Sequence, residues 1–111
     1  MRAIKLMADY LSYPLWDASP GGYGDIDPKT LPISQVLQQQ LIDWALTYDQ
    51  TLDMDYPPDS GFESVEAVMA FNRTGAALAS QLRQELGTEY TIIEKFIRDE
   101  KFVRKPRSAD G

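Results

Sequence analysis

SQVLQQQLIDWALTYDQTL, residues 34–52, is the stretch whose reading decides the fold. Leu37, Leu41, Trp44, Ala45, Tyr48 and Leu52 follow one another at offsets of four, three, one, three and four, which is the repeat of one helical face. Gln38, Gln39, Asp43, Asp49 and Gln50 fall mostly on the other side, so the spacing predicts an amphipathic helix with one buried stripe. Ser34 is its N-cap, because a serine hydroxyl can accept from a free N–H of the first turn.

Reading onward, DMDYPPDSGF breaks the repeat with two prolines and a glycine and must connect to a second helix. Ser64 caps that helix and Glu66 in its first turn complements the helix dipole. Val68, Phe71, Leu78, Leu82 and Leu86 carry its apolar stripe, and Gly87 stands where a left-handed C-cap glycine is expected. Gly75 sits mid-helix, where glycine costs roughly 1 kcal/mol relative to alanine, which points to close approach by the strand layer or the first helix. Leu41, Trp44, Tyr48, Phe71, Leu78 and Leu82 are expected to join the helices to the sheet.

Strand patterns flank the helices. In residues 3–10, Ile4, Leu6 and Ala8 alternate with Lys5, Met7 and Asp9; in residues 89–97, Tyr90, Ile92 and Glu94 alternate with Thr91, Ile93 and Lys95. Ile93, Phe96, Ile97 and Phe102 also fit helical spacing, so residues 94–104 read as either strand or helix. Residues 11–32 hold Pro14, Pro20, Gly21, Gly22, Gly24, Pro28 and Pro32 and read as a loop whose Tyr13, Leu15, Trp16 and Tyr23 either fold back as a lid or form a binding surface. The order strand, loop, helix, helix, strand predicts an α+β fold in which two antiparallel helices pack on a small sheet. Residues 1–104 form the single domain, and 105–111, without an apolar residue larger than alanine, form a flexible basic and polar tail.

Composition narrows the function. A 111-residue chain that is 43% hydrophobic has room for one modest core. Asp9 interrupts the N-terminal apolar run, so no signal peptide is expected, and no segment reaches membrane-spanning length; the expected location is the bacterial cytoplasm. Cysteine is absent, consistent with a reducing compartment. The net charge is −6 and the sequence pI about 4.5, which disfavours nucleic acid and favours a basic protein partner. Between Leu6 and Asn72 the acids are Asp9, Asp17, Asp25, Asp27, Asp43, Asp49, Asp53, Asp55, Asp59, Glu63 and Glu66, with Lys29 the one base. Solubility alone is the plainer explanation of that acidity.

No histidine or cysteine is present to serve as a neutral-pH base or thiol nucleophile, and the chain is short for a cleft between paired carboxylates, so an enzyme is not expected. Asp53, Asp55 and Asp59 resemble a calcium loop only in part: Pro57 takes a ligand position, the sixth position lacks glycine, and Ser64 stands in for the closing glutamate. GGYG at 21–24 lacks the strand before and the GK[ST] after that a phosphate loop requires. No cofactor and no metal are expected. The remaining signal is a surface: Asp9, Tyr10, Tyr13, Trp16, Asp17, Asp25 and Asp27 combine aromatic anchors with carboxylates that steer a basic partner.

IKLMADY and YPLW near the N-terminus, IDPKTLPIS, PPDSGF and LGTEYTI resemble a family of small bacterial proteins of about this length, over residues 4–93. The extension after Ile93 is longer and more basic than that family pattern. Such proteins are similar in size, charge and lack of catalytic residues to the immunity proteins of polymorphic toxin systems, including contact-dependent growth inhibition. The resemblance implies an antitoxin whose partner is a cognate toxin. The acidic surplus and the absence of catalytic residues add the expectation of a cytosolic protein that binds a basic nuclease domain, with no nucleic acid or membrane partner. The alternative is an acidic interaction or homo-oligomerisation module without a toxin, and a toxin reading frame immediately upstream would separate the two.

Calorimetry with calcium, magnesium, manganese and zinc is expected to show no binding of micromolar or better affinity, because the Asp53–Asp55–Asp59 set is incomplete. A micromolar isotherm lost in Asp55→Asn would contradict this.

Overall fold

The computed structural model describes residues 2–98 and 102–104. Four strands, β1 (Arg2–Leu6), β2 (Leu15–Asp17), β3 (Asp25–Ile26) and β4 (Tyr90–Glu94), and two helices, α1 (Gln35–Asp49) and α2 (Val65–Leu86), make an α+β fold. The sheet order is β3-β2-β1-β4. β1 pairs antiparallel with β2, β2 antiparallel with β3, and β4 enters parallel to β1 on its other edge.

Both helices begin as the sequence implies: the Ser34 hydroxyl accepts from Leu37 N–H at 3.2 Å and the Ser64 hydroxyl from Ala67 N–H at 3.1 Å. Gly87 closes α2 at φ 75°, a backbone that disfavours a side chain. The helices run antiparallel, since Ser34 at the start of α1 meets Glu85 at the end of α2, and Trp44 meets Phe71. Register sorts the sheet into two faces. Ile4, Leu6, Leu15, Ile26 and Ile92 turn to the helices and are buried, whereas the row Asp25–Trp16–Lys5–Ile93 crosses all four strands on the opposite face.

The segment expected to be a loop differs. Leu15–Asp17 and Asp25–Ile26 are strands, because Pro20, Gly22 and Gly24 fold the chain into a hairpin instead of abolishing pairing. Strands of three and two residues are too short for a two-residue repeat to register. Leu15 from this segment is wholly buried, as a lid residue would be, while Tyr23 is 93% exposed. β1 also ends earlier than expected, at Leu6. Met7 N–H still bonds Pro14 C=O at 2.9 Å, after which the chain turns back through Leu11 at φ 58°. β4 stops at Glu94; residues 95–98 adopt neither the strand nor the helix considered for them, yet Phe96 and Ile97 pack against the core. Beyond residues outside the description, Phe102 C=O accepts from Phe62 N–H at 3.0 Å and Val103 bridges Phe62. The expected tail, 105–111, lies outside the described residues.

The centre of the helical layer is Trp44. Its ring stacks on Phe71 at 4.4 Å between centroids with 7° between planes, and its indole N–H donates to Phe71 C=O at 2.9 Å. Gly75 is glycine for the reason its position implied, since a Cβ there would stand 2.8 Å from both Trp44 and the ring of Phe96. Substituting alanine for a mid-helix glycine ordinarily stabilises. Gly75→Ala is expected instead to lower the melting temperature by several degrees, and a rise would show that the rings move aside freely. Trp44→Ala should cost about 3–5 kcal/mol in urea unfolding. A melting temperature within a degree or two of the parent would contradict the packing described.

Candidate interaction surface

Antiparallel pairing sets the start of β2 and the end of β3 beside the end of β1, so the loop 7–14, Asp27 and the exit of β4 gather at one end of the sheet. Asp9, Tyr10, Tyr13 and Asp27 belong to this end. Tyr13 N–H donates to Asp25 Oδ2 at 2.8 Å. The Asp27 carboxylate, then loss of hydration, a hydrogen bond to Asp27 and the Asp25 charge hold the Tyr13 hydroxyl pKa above its usual value. The structure therefore brings Tyr13, Asp25 and Asp27 together. Asp25 also faces Trp16 across the β2–β3 ladder, which joins this cluster to the open face of the sheet. Trp16 is half-buried there, its indole N–H donating to Met7 C=O at 2.9 Å.

Asp9 and Tyr10 form a second group. Tyr10 packs its ring on Tyr48 at 4.6 Å, and its hydroxyl lies 2.8 Å from the hydroxyl of buried Thr51, so the side chain turns toward the helices. Asp9 remains exposed and accepts from Tyr10 N–H at 2.8 Å. Asp17 stands apart from the others, at the far end of β2. Its carboxylate accepts from Ser19 N–H at 3.0 Å and lies against Gly22, where it shapes the hairpin turn.

Leu11 is a surface residue the sequence did not single out. It is 86% exposed and held at positive φ, and its N–H donates to Asp49 Oδ1 at 3.0 Å. A leucine in the left-handed region is uncommon, and strained positions concentrate at functional surfaces. No local signal identified it, because the conformation is imposed by an acceptor on α1. On the β4 side of the same end stand Lys95 and Arg98, against an aromatic floor that includes Tyr48, Phe96 and Phe102. This end of the sheet is thus acidic over β2 and β3 and basic beyond β4. Among the described residues no group of three or more acidic side chains is arranged to hold a metal ion, and no helix is long and apolar enough to cross a membrane.

The profile of the Serratia CdiI immunity protein-like family matches residues 2–94. The chain belongs to this family. No curated protein matches it. The family match takes in both helices, all four strands and all seven residues of the expected surface, and it ends with the last residue of β4. Immunity proteins are defined by what they bind, which directs attention to the surface groups and their supports.

Tyr48 is one such support. Burial, reinforced by Tyr10, by Asp9, and by Asp49, pushes its hydroxyl pKa up to about 12 from an ordinary value of 10.0. The folded pKa exceeds the unfolded one, so the protonated hydroxyl favours folding fully below pH 10.0, and that contribution is lost as pH rises toward about 12. Urea unfolding across this window should fall less steeply in Tyr48→Phe than in the parent. Identical slopes would remove Tyr48 from the alkaline transition.

Proposed function

We propose that this chain is a cytoplasmic antitoxin that binds and neutralises a cognate toxin domain of contact-dependent growth inhibition, a basic nuclease. It acts by occupying the toxin and performs no chemistry. The single observation that carries this reading, beside family membership, is the Tyr13–Asp25–Asp27 cluster continuing through Asp25 into Trp16 on the open sheet face. Carboxylates around an aromatic centre suit a basic enzyme surface: the rings supply contact area, and the charges speed encounter and disfavour other partners. Asp9 extends the acidic rim, Tyr10 braces the loop from beneath, and Asp17 holds the hairpin that carries Trp16 and Asp25.

Charge reversal at these sites would disturb the turns, because Asp25 accepts from Tyr13 N–H and Asp27 from Lys29 N–H. Asp25→Asn with Asp27→Asn removes two charges and keeps both acceptors. Binding kinetics to the cognate toxin domain, over a salt series, should show association slowed about tenfold at low salt and a flatter salt dependence, with the melting temperature unchanged. An on-rate at low salt equal to the parent's would move the interface away from this end of the sheet.

A further inference from the structure

The outer faces of α1 and α2, turned away from the sheet, leave a long groove of about 890 Å³ between the helices. Ala67, Ala70, Thr74 and Ala77 form its α2 wall at intervals of three and four residues, Val36, Gln40 and Thr47 its α1 wall, and Trp44 and Phe71 its floor. Packing within the domain does not explain this face. An outer helix wall normally carries long charged side chains, whereas α2 lines the groove with small residues from Ala67 to Ala77 before Gln81 and Glu85 close it, and Val36 stands 67% exposed at the α1 rim. Between Ser34 and Thr47 the groove runs for about 20 Å, or three to four helical turns.

Charge selects the occupant. The lining contains two charged residues, Asp43 from α1 and Glu85 from α2, and both are acidic. α1 has no lysine or arginine. Of the bases on α2, Arg83 turns to the sheet, where it bonds Ile92 C=O and Glu94, and Arg73 is not part of the lining. A second copy of the chain would set this acidic groove against itself. Two antiparallel helices, one of them lined by small residues, instead accept a third helix, its apolar side over the α2 stripe and its cations near the charges of Asp43 and Glu85. The present partners of those carboxylates among the described residues, Gln39 for Asp43 and Ser34 and Gln81 for Glu85, are neutral and leave the charges uncompensated.

We propose that the α1–α2 groove is a docking site for an amphipathic helix with basic flanks, borne by a partner protein. This surface lies on the opposite layer from the acidic end of the sheet, and the proposal stands independently of whether that end engages a toxin.

The test uses the whole chain, isotopically labelled, and as probe a synthetic leucine–lysine helix of about 14 residues with leucines at i, i+3, i+4 and i+7. Saturable binding is expected, with amide shifts at Val36, Gln40, Thr47, Ala70, Thr74 and Ala77. The leucine–glutamate counterpart should bind at least about tenfold more weakly. Ala70→Arg, at an exposed position in a helix that tolerates arginine, should abolish binding with the melting temperature retained. Asp43→Lys should weaken it about tenfold without filling the groove. The proposal is overturned by absence of binding, by shifts centred on the sheet end, by equal affinity for the acidic peptide, by indifference to both substitutions, or by a dimer of the free chain that Ala70→Arg dissociates.

Discussion

Trp44 is the contact on which the rest of the molecule depends. Its indole lies flat on Phe71, donates to the Phe71 carbonyl, meets Phe96 edge-on at 6.0 Å and excludes any side chain larger than hydrogen at position 75. One side chain thereby ties α1 to α2 and both to the segment leaving β4. A helix pair otherwise free to slide is locked in register, because hydrogen bond and stacking are satisfied together at one offset.

The loop surface inherits its shape from that registration. With α1 fixed, Asp49 near its end is placed to accept from Leu11 N–H, and Tyr48 and Thr51 receive the ring and hydroxyl of Tyr10. Loop 7–14 is therefore anchored from beneath by the helix, and Tyr13 is presented at its exit between Asp25 and Asp27. An interface built on such a loop pays little ordering entropy on binding, since its backbone is already held.

The two helices were legible because their signals are local: hydroxyl caps, apolar stripes of several turns, and Gly87 at the stop. The close approach at Gly75 was legible for the same reason, as a local cost with no local benefit. β2 and β3 were hidden, since so short a pair is stabilised by its neighbour β1 and not by its own pattern. The arrangement of the expected surface residues was less legible. Tyr10, Tyr13 and Trp16 look alike in sequence, but their directions are set by partners elsewhere: Thr51 for Tyr10, Asp27 for Tyr13 and Met7 for Trp16. Asp17 reads as one more surface acid until its bond to Ser19 places it inside a turn.

Family membership and surface chemistry converge on protection by binding, and growth reports that directly. Bacteria producing the cognate toxin domain should stop growing, and should grow again when the chain is supplied. Rescue should fail with Asp25→Asn and Asp27→Asn combined with Trp16→Ala, in a variant confirmed to be folded and present at parental abundance. Absence of rescue by the parent chain, folded and abundant in the same cells, would contradict the assignment of this chain as the antitoxin for that toxin domain.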